Sequence, residues 1–75
     1  MSVFAVILVH STGHAVQVQR LLKKAGLEVK LIPTPRHLSS DCGSAVRISA
    51  ADREHAQTLI LEAGVELDRI EDLDD

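Results

Sequence analysis

The stretch "SSDCGSA", Ser39 to Ala45, holds the only cysteine of this 75-residue chain. A thiolate is the form of cysteine that attacks electrophiles and takes up sulfur. The neighbours of Cys42 bear on whether it ionises. Ser39 and Ser40 offer hydroxyls and backbone amides to an anion, and Arg36 adds a fixed positive charge. Asp41 opposes them, because a neighbouring carboxylate disfavours a second negative charge. Gly43 is expected to let the backbone turn without steric penalty, so that the thiol stands out of the surface. The opposing reading is a small buried apolar residue, which free cysteine often is. With no second cysteine the chain makes no internal disulfide and brings no resolving thiol, so a transfer partner has to come from outside.

A second cluster is "HSTGH", His10 to His14. Amides exposed at a helix start attract phosphate or carboxylate, and Gly13 allows close approach. Ser11, Thr12, Gly13 and His14 are therefore a candidate anion or partner site. Simple N-capping by Ser11 or Thr12 is the plainer alternative. His10 and His14 are four residues apart, a zinc-binding spacing on a helix, but His10 precedes the cap. His37 and His55 show no ligand spacing with them, so no metal and no cofactor is expected. Nor is His14 expected to activate Cys42. The exit of the first strand and the cysteine loop are expected at opposite ends of the sheet.

The elements that must position these residues are written twice. "LLKKAGLEVKLI" (Leu21 to Ile32) echoes "LILEAGVELDRI" (Leu59 to Ile70), with Ala25-Gly26 matching Ala63-Gly64. In each copy an apolar helical stretch ends, glycine supplies a left-handed cap, and an alternating strand begins. A strong strand, Val3 to Val9, precedes the first copy, and a weaker one, Ala45 to Ile48, precedes the second. The first helix is expected from Gly13 or His14 to Ala25, burying Ala15, Val18, Leu21, Leu22 and Ala25. In the second, "SAAD" reads as a capping box, with Ala56, Leu59, Ile60 and Ala63 inside. Strand-helix-strand twice over predicts an α+β, ferredoxin-like split βαβ sandwich (βαββαβ). Its four-stranded antiparallel sheet carries both helices on one face. Residues 1–70 form this single domain, and 71–75 an acidic C-terminal tail.

"VFAVILV" is apolar on both faces, and helices can cover only one. The other is expected to be an exposed apolar patch or a docking surface, with a homodimer formed through that face as the candidate partner. Between the second and third strands lies "PTPRHLSSDCGS" (Pro33 to Ser44), about a dozen residues where hairpins usually take about two to five. Pro33 and Pro35 stiffen its entry, which points to order and function.

Composition narrows the classes. Phe4 is the only aromatic residue, which argues against platforms that stack bases on aromatic rings, so no nucleic-acid partner is expected. The longest apolar run is too short to span a membrane. A lone cysteine with no leader segment suits a reducing cytoplasm. Net charge is −3, but up to Ile48 the balance is +4 and from Ser49 onward −7. That asymmetry could steer a charged partner or orient self-association, or simply solvate the helix faces.

The strand followed by "STGHA", then "LLKKAGLEVKLIPTPR", then "SSDCG", resembles the small bacterial family of selenium/sulfur carrier-like proteins, formerly a domain of unknown function. The likeness spans about Phe4 to Ile70, and departs from the family pattern at "VQVQ" (Val16 to Gln19). It implies that Cys42 is the carrier thiol, holding sulfur or selenium as a persulfide or perselenide. It also implies that Arg36, Ser39, Ser40 and Gly43 are the supporting loop. Such a carrier is expected to be non-enzymatic or only marginally catalytic, working between a donor such as a cysteine desulfurase and an acceptor protein. The alternative is a small-ligand-binding, regulatory or adaptor module in which Cys42 is structural.

Overall fold

The structure, a computed structural model, describes residues 3–38 and 43–73. Its elements run β1 (Phe4–Leu8), α1 (Thr12–Lys24), β2 (Val29–Pro33), β3 (Ser44–Ser49), a 3₁₀ turn (Ala50–Asp52), α2 (Arg53–Ala63) and β4 (Arg69–Leu73). The strands form one sheet in the order β2-β3-β1-β4, every neighbouring pair antiparallel. This is the expected α+β, βαββαβ arrangement. None of the helices is long and apolar enough to cross a membrane.

Both helices end in the way the echoed Ala-Gly predicts. Gly26 has φ 89° and Gly64 φ 72°. In α1 the Leu27 amide donates to the Leu22 carbonyl and Gly26 to Lys23, each at 3.0 Å. In α2, Val65 donates to Ile60 and Gly64 to Leu61, at 3.3 and 3.2 Å. These are two Schellman motifs, and Leu27 and Val65 pack on the core that Leu22 and Ile60 fill. A β-carbon at position 64 would meet no atom within 4 Å, so a substitution there is penalised by backbone conformation alone. Gly64→Ala should therefore lower stability by about 1 kcal/mol, read from the denaturant midpoint at constant m-value.

The helix starts differ from each other. Ser11 caps α1, its hydroxyl accepting from the His14 amide at 3.2 Å. The capping box at Ser49 does not form. Ser49 closes β3 opposite Phe4, and the amide of Ala50 is already taken by the Val3 carbonyl. The chain tightens into the 3₁₀ turn and α2 begins at Arg53 without a side-chain cap.

The core lies between sheet and helices. Ala5, Ile7 and Val9 from β1 and the residue after it, Val46 and Ile48 from β3, and Ile70 from β4 meet Ala15, Val18 and Leu22 of α1 and Ala56 and Ile60 of α2. Leu21 and Leu59 pack at its margin. Ala25 and Ala63, expected inside, are exposed because each sits where the helix unwinds into its glycine cap.

The charge-rich C-terminus also departs from expectation. Glu71 to Leu73 belong to β4, paired with Phe4 to Val6 of β1, rather than to a tail. Arg53 secures this edge, donating from Nη1 to Asp72 at 2.6 Å and from Nη2 to the Ile70 carbonyl at 2.8 Å. The ion pair is partly solvated and contributes modestly. Arg53→Ala should cost about 1 kcal/mol and quicken amide exchange along β4. Exchange unchanged from the wild type would show the clamp to be idle.

The sheet face away from the helices is not an open apolar patch. Val6 and Leu8 point to it and are 0% exposed. They cluster with Ala45, and Ile32 and Leu38 pack against them. Leu38 belongs to the described part of the β2–β3 connection, and it covers one end of this face. The next row along is charged, with Lys30, Arg47 and Glu71 flanking Val6 by cross-strand pairing.

Candidate functional site

The end of the sheet that carries the loop is built from three chain segments. β1 ends at Leu8, β2 ends at Pro33 and β3 starts at Ser44. Leu8 pairs with Ala45, and Ala45 with Ile32, so all three meet at one level. The expectation that the exit of β1 and the β2–β3 loop lie at opposite ends is therefore overturned. The reason is topological. α1 returns the chain across the sheet, so β1 and β2 run in the same direction and finish at the same end. The start of α1, with Ser11, Thr12, Gly13 and His14, stands at the end where the cysteine-bearing connection begins and finishes.

The described parts of that connection are held at both ends. The Thr34 amide donates to the Gly43 carbonyl at 3.0 Å, closing the base. The Leu38 amide donates to the Pro35 carbonyl at 3.0 Å, making a turn through Arg36 and His37. Pro33 is the last residue of β2, an edge strand, where its missing amide hydrogen costs no ladder bond. Leu38 then docks on Val6, Leu8 and Ala45. Sequence reasoning passed over this residue. The signal was one large apolar side chain in an otherwise polar, turn-rich stretch.

Of the residues singled out from the sequence, Arg36 is exposed in the turn and Gly43 is exposed at the loop's far end. Ser39, Ser40, Asp41 and Cys42 lie outside the described residues. Gly43 does not need glycine's freedom. The only glycines at positive φ among the described residues are Gly26 and Gly64, and a β-carbon on Gly43 would meet nothing within 4 Å. Gly43→Ala should leave stability within about 0.5 kcal/mol, in contrast to Gly64→Ala. A loss as large as that at position 64 would contradict this backbone reading.

At the start of α1, the capping role of Ser11 is the one the geometry shows. Thr12 and Gly13 are exposed. A β-carbon on Gly13 would meet only Ser11 Oγ, at 3.7 Å. His14 is half-buried, and its Nδ1 is buried without a hydrogen-bond partner. A buried ring nitrogen left unpaired forfeits its hydration with nothing in return, an arrangement that stable packing ordinarily avoids. Leu38 leans on the helix-free face, while α1 packs on the other. The loop and His14 thus share an end of the sheet and approach it from opposite faces.

Neither a curated protein nor a solved structure matches this chain. A family model does match, over residues 4–71, which takes in every helix, most of the sheet and the cysteine-bearing loop. The chain belongs to the family described as "Putative Se/S carrier protein-like".

Proposed function

We propose that this protein carries sulfur or selenium as a persulfide or perselenide on Cys42. The cargo comes from a donor such as a cysteine desulfurase and passes to an acceptor protein. The observation that carries the reading is that the family match runs through the whole fold and includes the chain's single thiol. The step is an exchange. The Cys42 thiolate attacks the outer sulfur of a donor persulfide, a new S–S bond forms, and the donor leaves as its own thiolate. Oxidation level is conserved, so neither oxidant nor reductant is consumed. An acceptor thiolate repeats the attack on the outer sulfur and regenerates Cys42.

Such a carrier needs an ionisable thiol and surfaces for two successive partners; a base or a metal is not obligatory. A second cysteine would short-circuit delivery by closing a disulfide, and this chain has none. A reducing compartment such as the cytoplasm would keep the lone thiol available. Arg36 and the amides at the start of α1 supply positive potential at the loop's end of the sheet, and a thiolate held within its reach would be favoured. The test is loading by a cysteine desulfurase with labelled cysteine, followed by intact-mass measurement, with Cys42→Ser as the control.

A further inference from the structure

The helix-free face carries a second feature, at the end of the sheet away from Gly43. A concavity of about 360 Å³ is lined by Phe4, Glu28, Lys30, Arg47 and Ser49, together with Val29 and Ile48. Lys30 and Arg47 are direct cross-strand partners. Their side chains emerge on one face, where like charges placed opposite each other destabilise a sheet. The chain has eleven acidic residues against eight basic ones. Yet among the described residues neither Lys30 nor Arg47 has a carboxylate within ion-pairing distance. Arg47 is instead stacked on Phe4, its guanidinium carbon 4.2 Å from the ring centroid. That contact restrains the guanidinium over the ring while its N–H groups can still donate to the oxygens of a carboxylate or phosphate. Two cations without an ion-pair partner among the described residues, the chain's one aromatic ring and a hydroxyl therefore line one hollow, with Glu28 the one acid beside them.

We propose that this hollow binds the oxyanion of a small ligand, a phosphate or carboxylate attached to a flat apolar body. Arg47 and Lys30 hold the charge, Ser49 stands beside them as a hydroxyl donor, and the exposed part of the Phe4 ring meets the apolar body. A bound anion would relieve the repulsion between the paired cations. Glu28, also in the lining, opposes any anion, so the contact of an apolar body with Phe4 has to add to the binding. The site lies at the end of the sheet away from Gly43 and does not depend on the carrier reading.

The test is a titration of the isotopically labelled protein with phenyl phosphate, inorganic phosphate and phenol at matched ionic strength, followed by amide shifts. Saturable shifts are expected at residues 28–30 and 47–49 with phenyl phosphate. Inorganic phosphate should bind at the same place more weakly, and phenol not at all. Lys30→Gln and Arg47→Gln should each weaken phenyl phosphate about tenfold or more, the loss expected for one charge-assisted contact. Lys24→Gln and Cys42→Ser should leave binding unchanged. Lys30→Gln should also raise the thermal midpoint by roughly 1–4 °C at low salt, a gain that shrinks as salt screens the pair. Shifts that persist in both the Lys30 and Arg47 variants, or no saturable shift at all, would overturn the site. So would a midpoint that falls in Lys30→Gln, since the cation pair would then not be a source of strain.

Discussion

Leu8→Ala should destabilise this domain by roughly 2–5 kcal/mol, as much as Ile7→Ala, although the two side chains point to opposite faces of the sheet. Ile7 lies in the core beneath the helices, where such a loss is expected of any buried aliphatic residue. Leu8 lies on the face without helices, where an open sheet would make the same truncation nearly free. Burial decides the matter: both residues are 0% exposed, and Leu8 is enclosed by Ala45, Ile32 and the loop residue Leu38. A 75-residue domain holds only about 4–11 kcal/mol of stability in total, so either variant stands close to unfolding. At about 4–8 °C per kcal/mol the thermal midpoint should fall by at least roughly 10 °C. Leu61→Ala is the control, since Leu61 is 67% exposed and should move stability by no more than about 0.5 kcal/mol. If Leu8→Ala behaved like Leu61→Ala, the helix-free face would be open and the loop would not cover it.

Cys42→Ser should abolish sulfur loading altogether while the amide spectrum of the described core stays that of the wild type. On incubation with a cysteine desulfurase and labelled cysteine, the wild-type mass should rise by about 32 Da, one sulfur atom, and the variant's by none. A hydroxyl of ordinary acidity does not ionise near neutrality and forms no stable counterpart of a persulfide, so partial loading is not expected. A labelled product on Cys42→Ser, or a wild type that never gains the mass, would end the carrier proposal. The same thiol should alkylate with an apparent midpoint below the ~8.5 of a free cysteine if the loop's end of the sheet stabilises its anion. A midpoint at or above that value would remove the electrostatic support. Neither outcome bears on the Lys30–Arg47 hollow, whose readouts do not involve sulfur.

Much of the architecture was legible because short-range patterns encode it. The Ala-Gly echo specified where both helices stop, since only glycine takes the left-handed conformation without strain. Alternation in "EVKLIP" and "AVRIS" placed Val29, Leu31, Val46 and Ile48 on the core side. Ser11 announced its own helix. The acidic ending misled because composition is a poor guide at a sheet edge. Glu71 and Asp72 are charged, yet Leu73 pairs with Phe4, and Arg53 reaches over from α2 to hold Asp72.

Cys42 as the one residue able to carry a thiol's chemistry, and the order of strands and helices that frames it, follow from the chain read residue by residue. Three things do not: that α1 begins at the loop's end of the sheet, that Leu38 covers one end of the face without helices, and that Lys30 lies opposite Arg47. Each joins residues far apart along the chain. Local preference is settled within a turn or two of backbone. Register, and what covers a sheet face, are settled only when strands distant in sequence pair and one slip would carry every buried side chain to the wrong side.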